Sequence, residues 1–204
     1  MCGAGMVAAG RTLAGDIVAM TSRDSPVGLQ RGTVRLAPAD ALWPEVFRAA
    51  AGCLAARIAA AGLPNLTFEH VGSTAVSGLV AKPIIDFMAG YDTDTNPRLY
   101  FDVFRSAGYE YRGPQGVPLR ELFVLGPELR RTHHLNLVQF DGVFWLDHIV
   151  FRDRLRSEPA IRAAYAALKH RLAAAHAADR GAYTEGKAAF VDHVTRGGHS
   201  PPAS

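Results

Sequence analysis

The segment Phe68–Tyr91, FEHVGSTAVSGLVAKPIIDFMAGY, restricts the fold more than any other stretch of this chain. Residues 66–71 alternate as a half-buried strand does. Residues 84–90, IIDFMAG, are mostly apolar, which suits a strand covered on both faces. A small-residue turn and a short apolar segment join the two. At the turn, Gly72 allows backbone N–H groups to approach an anion, and the Ser73 hydroxyl adds a donor. Asp86 places one carboxylate on the second strand, where Mg²⁺ shared with substrate phosphates is chemically reasonable. The stretch is not a P-loop: five residues separate Gly72 from Gly78, and Leu79 follows where Lys-Ser/Thr is required. Two readings stay open on these residues alone, a phosphate site and a plain strand connection with a polar end.

The order of elements narrows the architecture. RAAAGCLAARIAAAG reads as a helix stopped at Gly62-Leu63-Pro64. Asn96 caps and Pro97 opens a second helix that ends at Gly108. YEYRG and RELFVLG flank the turn GPQGVP as an antiparallel pair. THHLNLVQF is a further strand, with Leu135 and Leu137 on one face and His134, Asn136 and Val138 on the other. After Gly142 three helices are expected: FWLDHIVFRDRLRS, PAIRAAYAALKHRLAAAHAADR and YTEGKAAFVDHV. In the second, Ile161, Ala164, Tyr165, Leu168 and Leu172 share a face. This succession predicts an α+β fold, a mixed β-sheet backed by helices with a helical C-terminal segment.

The chain has 204 residues, 49% hydrophobic and 20% charged, enough for one domain with a substantial core. Residues 1–31, rich in Gly, Ala and Ser, are expected to be a disordered leader, 32–196 a single domain and 197–204 a flexible tail. Cys2 and Cys53 cannot form a disulfide framework or a four-cysteine zinc site. With no apolar run of membrane-spanning length, the expectation is a cytoplasmic protein. The net charge of +3 suits a small anionic substrate. No dense Lys/Arg block marks a nucleic-acid surface.

HVGSTAVSGLVAKPIIDF resembles the signature of the GrpB family, close to HIGSTSVPGLAAKPIIDI. Similarity continues through ALWPEVF, YEYRGPQGVPLRELFVLG, RTHHLNLVQF, FRDRLRSEP and YTEGKAAFV, roughly Leu36 to Val194. The resemblance implies a nucleotidyltransferase-like sheet. It also implies Mg²⁺ and ATP or another nucleotide as cofactors, and a transferase or ATP-dependent ligase acting on a small molecule. In that superfamily a Gly-Ser pair holds phosphates and carboxylates on neighbouring strands hold metal. Gly72, Ser73 and Asp86 match; Thr74 extends the phosphate turn. The second carboxylate position is Met88, and Glu121 is the one substitute in sight. Asn136 stands where the family usually has His, Ser77 where it has Pro, and Glu121 where Arg is frequent. The missing carboxylate supports an alternative, a catalytically reduced nucleotide- or CoA-binding module.

The remaining polar residues are assigned on that basis. Asp86, His134 and Arg131 are the candidate catalytic residues, Asp86 as metal ligand, His134 as base and Arg131 as an anchor for developing negative charge. Lys82, at the entrance of the Asp86 strand, can neutralise a phosphate. Arg112 and Arg120 flank the GPQGVP turn as a basic loop over the site. His133, Asn136 and Lys187 complete the candidate nucleotide-binding set. Arg152, Asp153 and Arg156 read as surface helix ion pairs. His148, His170, His176, His193 and His199 read as surface or satisfied helix residues.

Overall fold

The computed structural model describes residues 26–197. Helix α1 (Trp43–Ala60) buries Trp43, Ala50, Cys53, Leu54 and Ile58 along one side. Its start is set by Asp40, whose carboxylate accepts from the Leu42 amide at 2.8 Å, and by Pro44 in the first turn. Strands β1 (Thr67–Val71) and β2 (Ile85–Tyr91) follow. Helix α2 (Phe101–Ser106) continues a short 3₁₀ turn, Pro97–Tyr100, capped by Asn96. Strands β3 (Glu110–Gly113), β4 (Arg120–Leu125) and β5 (His133–Gln139) complete the sheet. Helices α3 (Val143–Ser157), α4 (Pro159–Ala175), α5 (Arg180–Glu185) and α6 (Ala188–Thr195) close the chain.

The strands lie in the order β1-β2-β5-β4-β3. Only β2 and β5 run parallel; the other neighbours are antiparallel. The expected mixed sheet backed by helices is therefore the observed fold. One sheet face carries Ile85, Phe87, Ala89, Leu135, Leu137, Phe123 and Leu125 against α1, Tyr100 and Phe104, which is the main core. On the other face, Met88, Val71 and Val138 pack against Trp145 of α3. A Cβ on Gly90 would meet the Trp145 ring at 2.8 Å, so glycine leaves the room that the indole occupies beside the strand. A third cluster, including Val76, Leu79, Ile161, Tyr165 and Phe190, seals the C-terminal helices over the β1–β2 connection.

Three expectations need correction. Residues 26–31 belong to the fold: Val27 is buried, and Leu29 and Arg131 exchange backbone hydrogen bonds of 2.9 and 2.8 Å. The expectations for residues 1–25 and 198–204 lie outside the described residues. The helix expected over YTEGKAAFVDHV is two helices, because Gly186 closes α5 on the Ala182 carbonyl and α6 restarts after Lys187. Thr184 therefore lies inside α5, whose cap is Asp179, accepting from the Ala182 amide at 3.0 Å. Third, Arg152 and Arg156 form the expected ion pairs with Asp153, at 2.8 and 3.3 Å, but also reach into the fold. Arg152 is buried and donates to Glu69 at 2.5 Å and to the His70 carbonyl at 3.0 Å. Arg156 donates twice to the Ala75 carbonyl, at 3.1 and 2.9 Å. Among the described residues no helix is long and apolar enough to cross a membrane.

Candidate functional site: a basic cleft around a histidine–carboxylate pair

The parallel junction of β2 and β5 sets the centre of the site. Asp86 and His134 are register partners, so both side chains leave the sheet on the face under α3. His134 Nδ1 donates to Asp86 Oδ1 at 2.8 Å. A carboxylate only accepts, so Nδ1 carries the hydrogen and Nε2 is left as the basic atom. Burial acts to raise the Asp86 pKa, but the His134 hydrogen bond and the charges of His134, Lys82 and Arg180 outweigh it. The carboxyl is held below its ordinary range.

The turn after β1 presses against this pair. Gly72 has φ 69° and ψ −170°, a region essentially confined to glycine. A Cβ there would come within 3.2 Å of Asp86 Cβ and Oδ2. The turn is pinned from both sides. Arg152 holds the carbonyl before it and Arg156 the one after it. Lys169 of α4, almost wholly buried, donates to Ser73 Oγ at 3.1 Å and to the Val80 carbonyl, with its ammonium 4.7 Å from the Tyr165 ring centre. Burial, with the charge of Lys187 in support, pushes the Lys169 pKa down to about 7. Neither the Ser73 nor the Thr74 amide has a backbone acceptor among the described residues.

Above the pair opens a cleft of ≈ 960 Å³. Arg31, Arg112, Arg120, Arg131 and Arg180 line it, against only Asp86 and Glu185 as carboxylates. Arg112 and Arg131 share Glu110 at 2.6 and 2.7 Å, and Arg31 pairs with Glu128 at 2.6 Å. Arg120 donates to the Pro114 carbonyl at 3.0 Å and lies 5.8 Å from the Phe144 ring centre. Neither Arg120 nor Arg180 has a carboxylate at ion-pair distance among the described residues. His148 forms part of the wall, its Nδ1 donating to the Phe144 carbonyl at 2.7 Å. Burial keeps its pKa below the usual value.

The structure brings most of the expected residues to the cleft and engages the side chains of three, His133, Thr74 and Ser73, with other protein groups. Gly72, Asp86, Arg112, Arg120, Arg131, His134 and Asn136 border the cleft. Lys82 borders a small adjoining cavity with Arg131 and Arg180, and Lys187 sits on the Tyr183 ring beside it. His133 leaves β5 on the opposite face, fully buried between Phe87 and Tyr109, where period-two alternation sends it. The Thr74 hydroxyl is buried and engaged by His70 Nε2 at 3.0 Å. Ser73 Oγ is held by Lys169 rather than presented alone. Arg31, Lys169, Arg180 and Tyr183 were not singled out from the sequence. For Lys169 the signal was present: it falls four residues after Tyr165, inside the apolar stripe of α4.

The donor set does not fit a two-metal centre. Glu121 points to the other sheet face and bonds the Tyr111 hydroxyl. Met88 is fully buried beneath Trp145. Among the described residues no group of three His, Cys, Asp or Glu side chains could hold an ion. Asp86 alone, with one oxygen engaged by His134, is too few anionic ligands for paired ions.

A family model described as GrpB protein matches residues 33–196. A UPF0157 protein of Pseudomonas aeruginosa is 38% identical over 167 residues, 79% of this chain and 66% of that protein's length. The glutamate-rich protein GrpB of Alkalihalophilus pseudofirmus is 30% identical over 172 residues, 82% of this chain and 97% of that protein. The crystal structure of the conserved protein GrpB from Enterococcus faecalis superposes with a TM-score of 0.71 at 35% identity, covering 79% of this chain and 95% of that one. A Cid1 poly(U) polymerase with Mg 3'-dATP bound superposes with a TM-score of 0.51 at 11% identity, over 74% of this chain and 49% of that one, a likeness of fold. The chain belongs to the GrpB family.

Proposed function

We propose that the cleft binds a nucleotide or a similar phosphate-bearing small molecule, and that His134 and Asp86 transfer a proton during group transfer to an acceptor. The observation that carries this reading is charge: Arg120 and Arg180 face a cleft whose floor is a histidine–carboxylate pair, with no carboxylate at ion-pair distance among the described residues. Cations gathered without matching carboxylates repel one another, and a polyanionic ligand is the group that relieves them. The amides of Ser73 and Thr74, without a backbone acceptor among the described residues, add phosphate donors.

In this reading His134 Nε2 takes the proton of an acceptor oxygen, and Asp86 stabilises the imidazolium formed at Nδ1. The acceptor oxygen bonds to phosphorus as the bond from phosphorus to the leaving phosphate oxygen breaks. Arg120, Arg131 and Arg180 meet the negative charge that develops on the leaving group. Mg²⁺ is the metal the fold suggests, yet the donor set does not fit a pair of ions.

Calorimetric titration with ATP, ADP and pyrophosphate tests the binding half. Arg120→Ala and Arg180→Ala should each weaken binding about tenfold, and added salt should weaken it further. An absence of heat with every one of these ligands would sink the proposal. A second reading is favoured by Met88: a binding module that retains the phosphate site without turnover. Release of phosphate or pyrophosphate from bound ATP in the presence of candidate acceptors, abolished by His134→Ala, decides for the enzyme.

A further inference from the structure

We infer that the phosphate end of the cleft works without a divalent cation, its positive charge supplied by Lys82, Arg180 and Lys187 grouped beside Asp86. This rests on the proposal that the cleft holds a phosphate-bearing ligand. Tyr183 is almost wholly buried, with the Lys187 ammonium 4.5 Å and the Lys82 ammonium 5.2 Å from its ring centre. The three cations come from separate segments: the entrance of β2, the first residue of α5 and the break between α5 and α6. Solvated surface lysines do not converge in this way around a buried ring. None of the three has a carboxylate at ion-pair distance among the described residues.

Their effect on one another is visible in their acidity. Burial, then the charges of Lys187 and Arg180, push the Lys82 pKa down to about 8, and only Asp86 opposes the shift. Lys187 is lowered by burial and by Arg180, again with Asp86 in opposition. Asp86, the carboxylate that acts on both lysines, is already hydrogen-bonded by His134. A second carboxylate would be needed to draw a divalent ion into such a positive environment, and Met88 fills its place. A terminal phosphate or pyrophosphate group supplies the missing negative charge directly, with the lysines acting as point charges.

The experiment is calorimetric titration of the full chain with ATP and with pyrophosphate, once in EDTA and once in excess Mg²⁺. The two affinities are expected to agree within about threefold. The Lys82→Met/Lys187→Met double variant should lose at least about tenfold in EDTA, with its melting curve reporting that the fold is retained. Asp86→Asn should bind ATP in EDTA at least as tightly as the parent, because a negative charge beside the phosphates has gone. Binding that vanishes in EDTA and returns with Mg²⁺, or that Asp86→Asn abolishes, overturns the inference while leaving the nucleotide reading intact. Absence of binding in both buffers overturns the nucleotide reading and this inference with it.

Discussion

His133 and His134 are consecutive residues, and the sheet assigns them opposite chemistry. His133 is sealed between Phe87 and Tyr109, donor or acceptor only to the Thr132 hydroxyl at 2.9 Å. Its Nε2 has no hydrogen-bond partner among the described residues. Burial, then the neighbouring His134 and His70, push its pKa down to about 3, so it is a neutral packing residue. His134 lies on the cleft floor with Nδ1 committed to Asp86 and Nε2 left over. The same side chain thus serves as core filler and as candidate base, and only the direction of the Cα–Cβ bond separates the two uses. The two sheet faces differ in the same sense. The α1 face is apolar apart from His133 and the Glu121–Tyr111 pair, whereas the α3 face carries charge at one end and apolar packing at the other.

The strongest way to break that contrast is to put charge where the α3 face is apolar. Met88→Asp, aimed at rebuilding the second carboxylate of the fold, places an unpaired anion under Trp145. It should cost about 3–5 kcal/mol in urea denaturation and create no ion-binding site. Next in size is the histidine pair itself. His133→Ala leaves a cavity and should cost about 2–4 kcal/mol, with ATP affinity unchanged. His134→Ala should cost under about 1.5 kcal/mol and abolish turnover, since Asp86 remains in contact with solvent. Equal stability losses for the two variants would erase the distinction.

Acid should act through the buried histidines before it acts elsewhere. His70 is lowered to about 4, chiefly by burial, and His133 to about 3. Their folded pKa values lie below the unfolded ones, so the unfolded chain binds more protons as pH falls. Stability is full above about pH 6.5 and is lost progressively as the pH drops through about 4 and 3. Each histidine contributes at most about 1.4 kcal/mol per pH unit. Melting curves between pH 7 and 4 should show the loss, and His133→Phe should flatten it. The smallest effect concerns the cleft. As pH rises through about 8, Lys82 loses its charge. Pyrophosphate affinity should then fall by about threefold, and Lys82→Arg should remove the dependence.

Much of this arrangement could be read from the chain. Alternation in β5 separates His133 from His134, and the apolar run Ile84–Met88 with its single Asp86 marks a central strand carrying one polar group. What could not be read is which partners meet. Asp86 and His134 are 48 residues apart, and their contact depends on β2 lying parallel and in register beside β5. Lys169 occupies a helix stripe where a lysine ordinarily extends its amine to water, and only the closure of α4 over Ser73 buries it. Thr74 looked available because nothing in the sequence shows that His70 turns back to it. Arg31 was hidden by a segment whose composition reads as a tail, although its last residues lie alongside Arg131.

The order in which the chain brings these groups together carries one more consequence. The Gly72–Thr74 turn is complete early in the sequence, but each group that pins it arrives late: Arg152, Arg156 and Lys169 all lie in the helices after β5. Asp86 likewise has no hydrogen-bonded partner until His134 has been made and paired across the sheet. Contacts of such sequence separation form slowly, because a long loop must close first. During synthesis, then, the strand framework precedes the site, and competence to hold an anion is gained in the final steps of folding. A chain released before α4 would carry the signature motif intact and lack the machinery that gives it meaning.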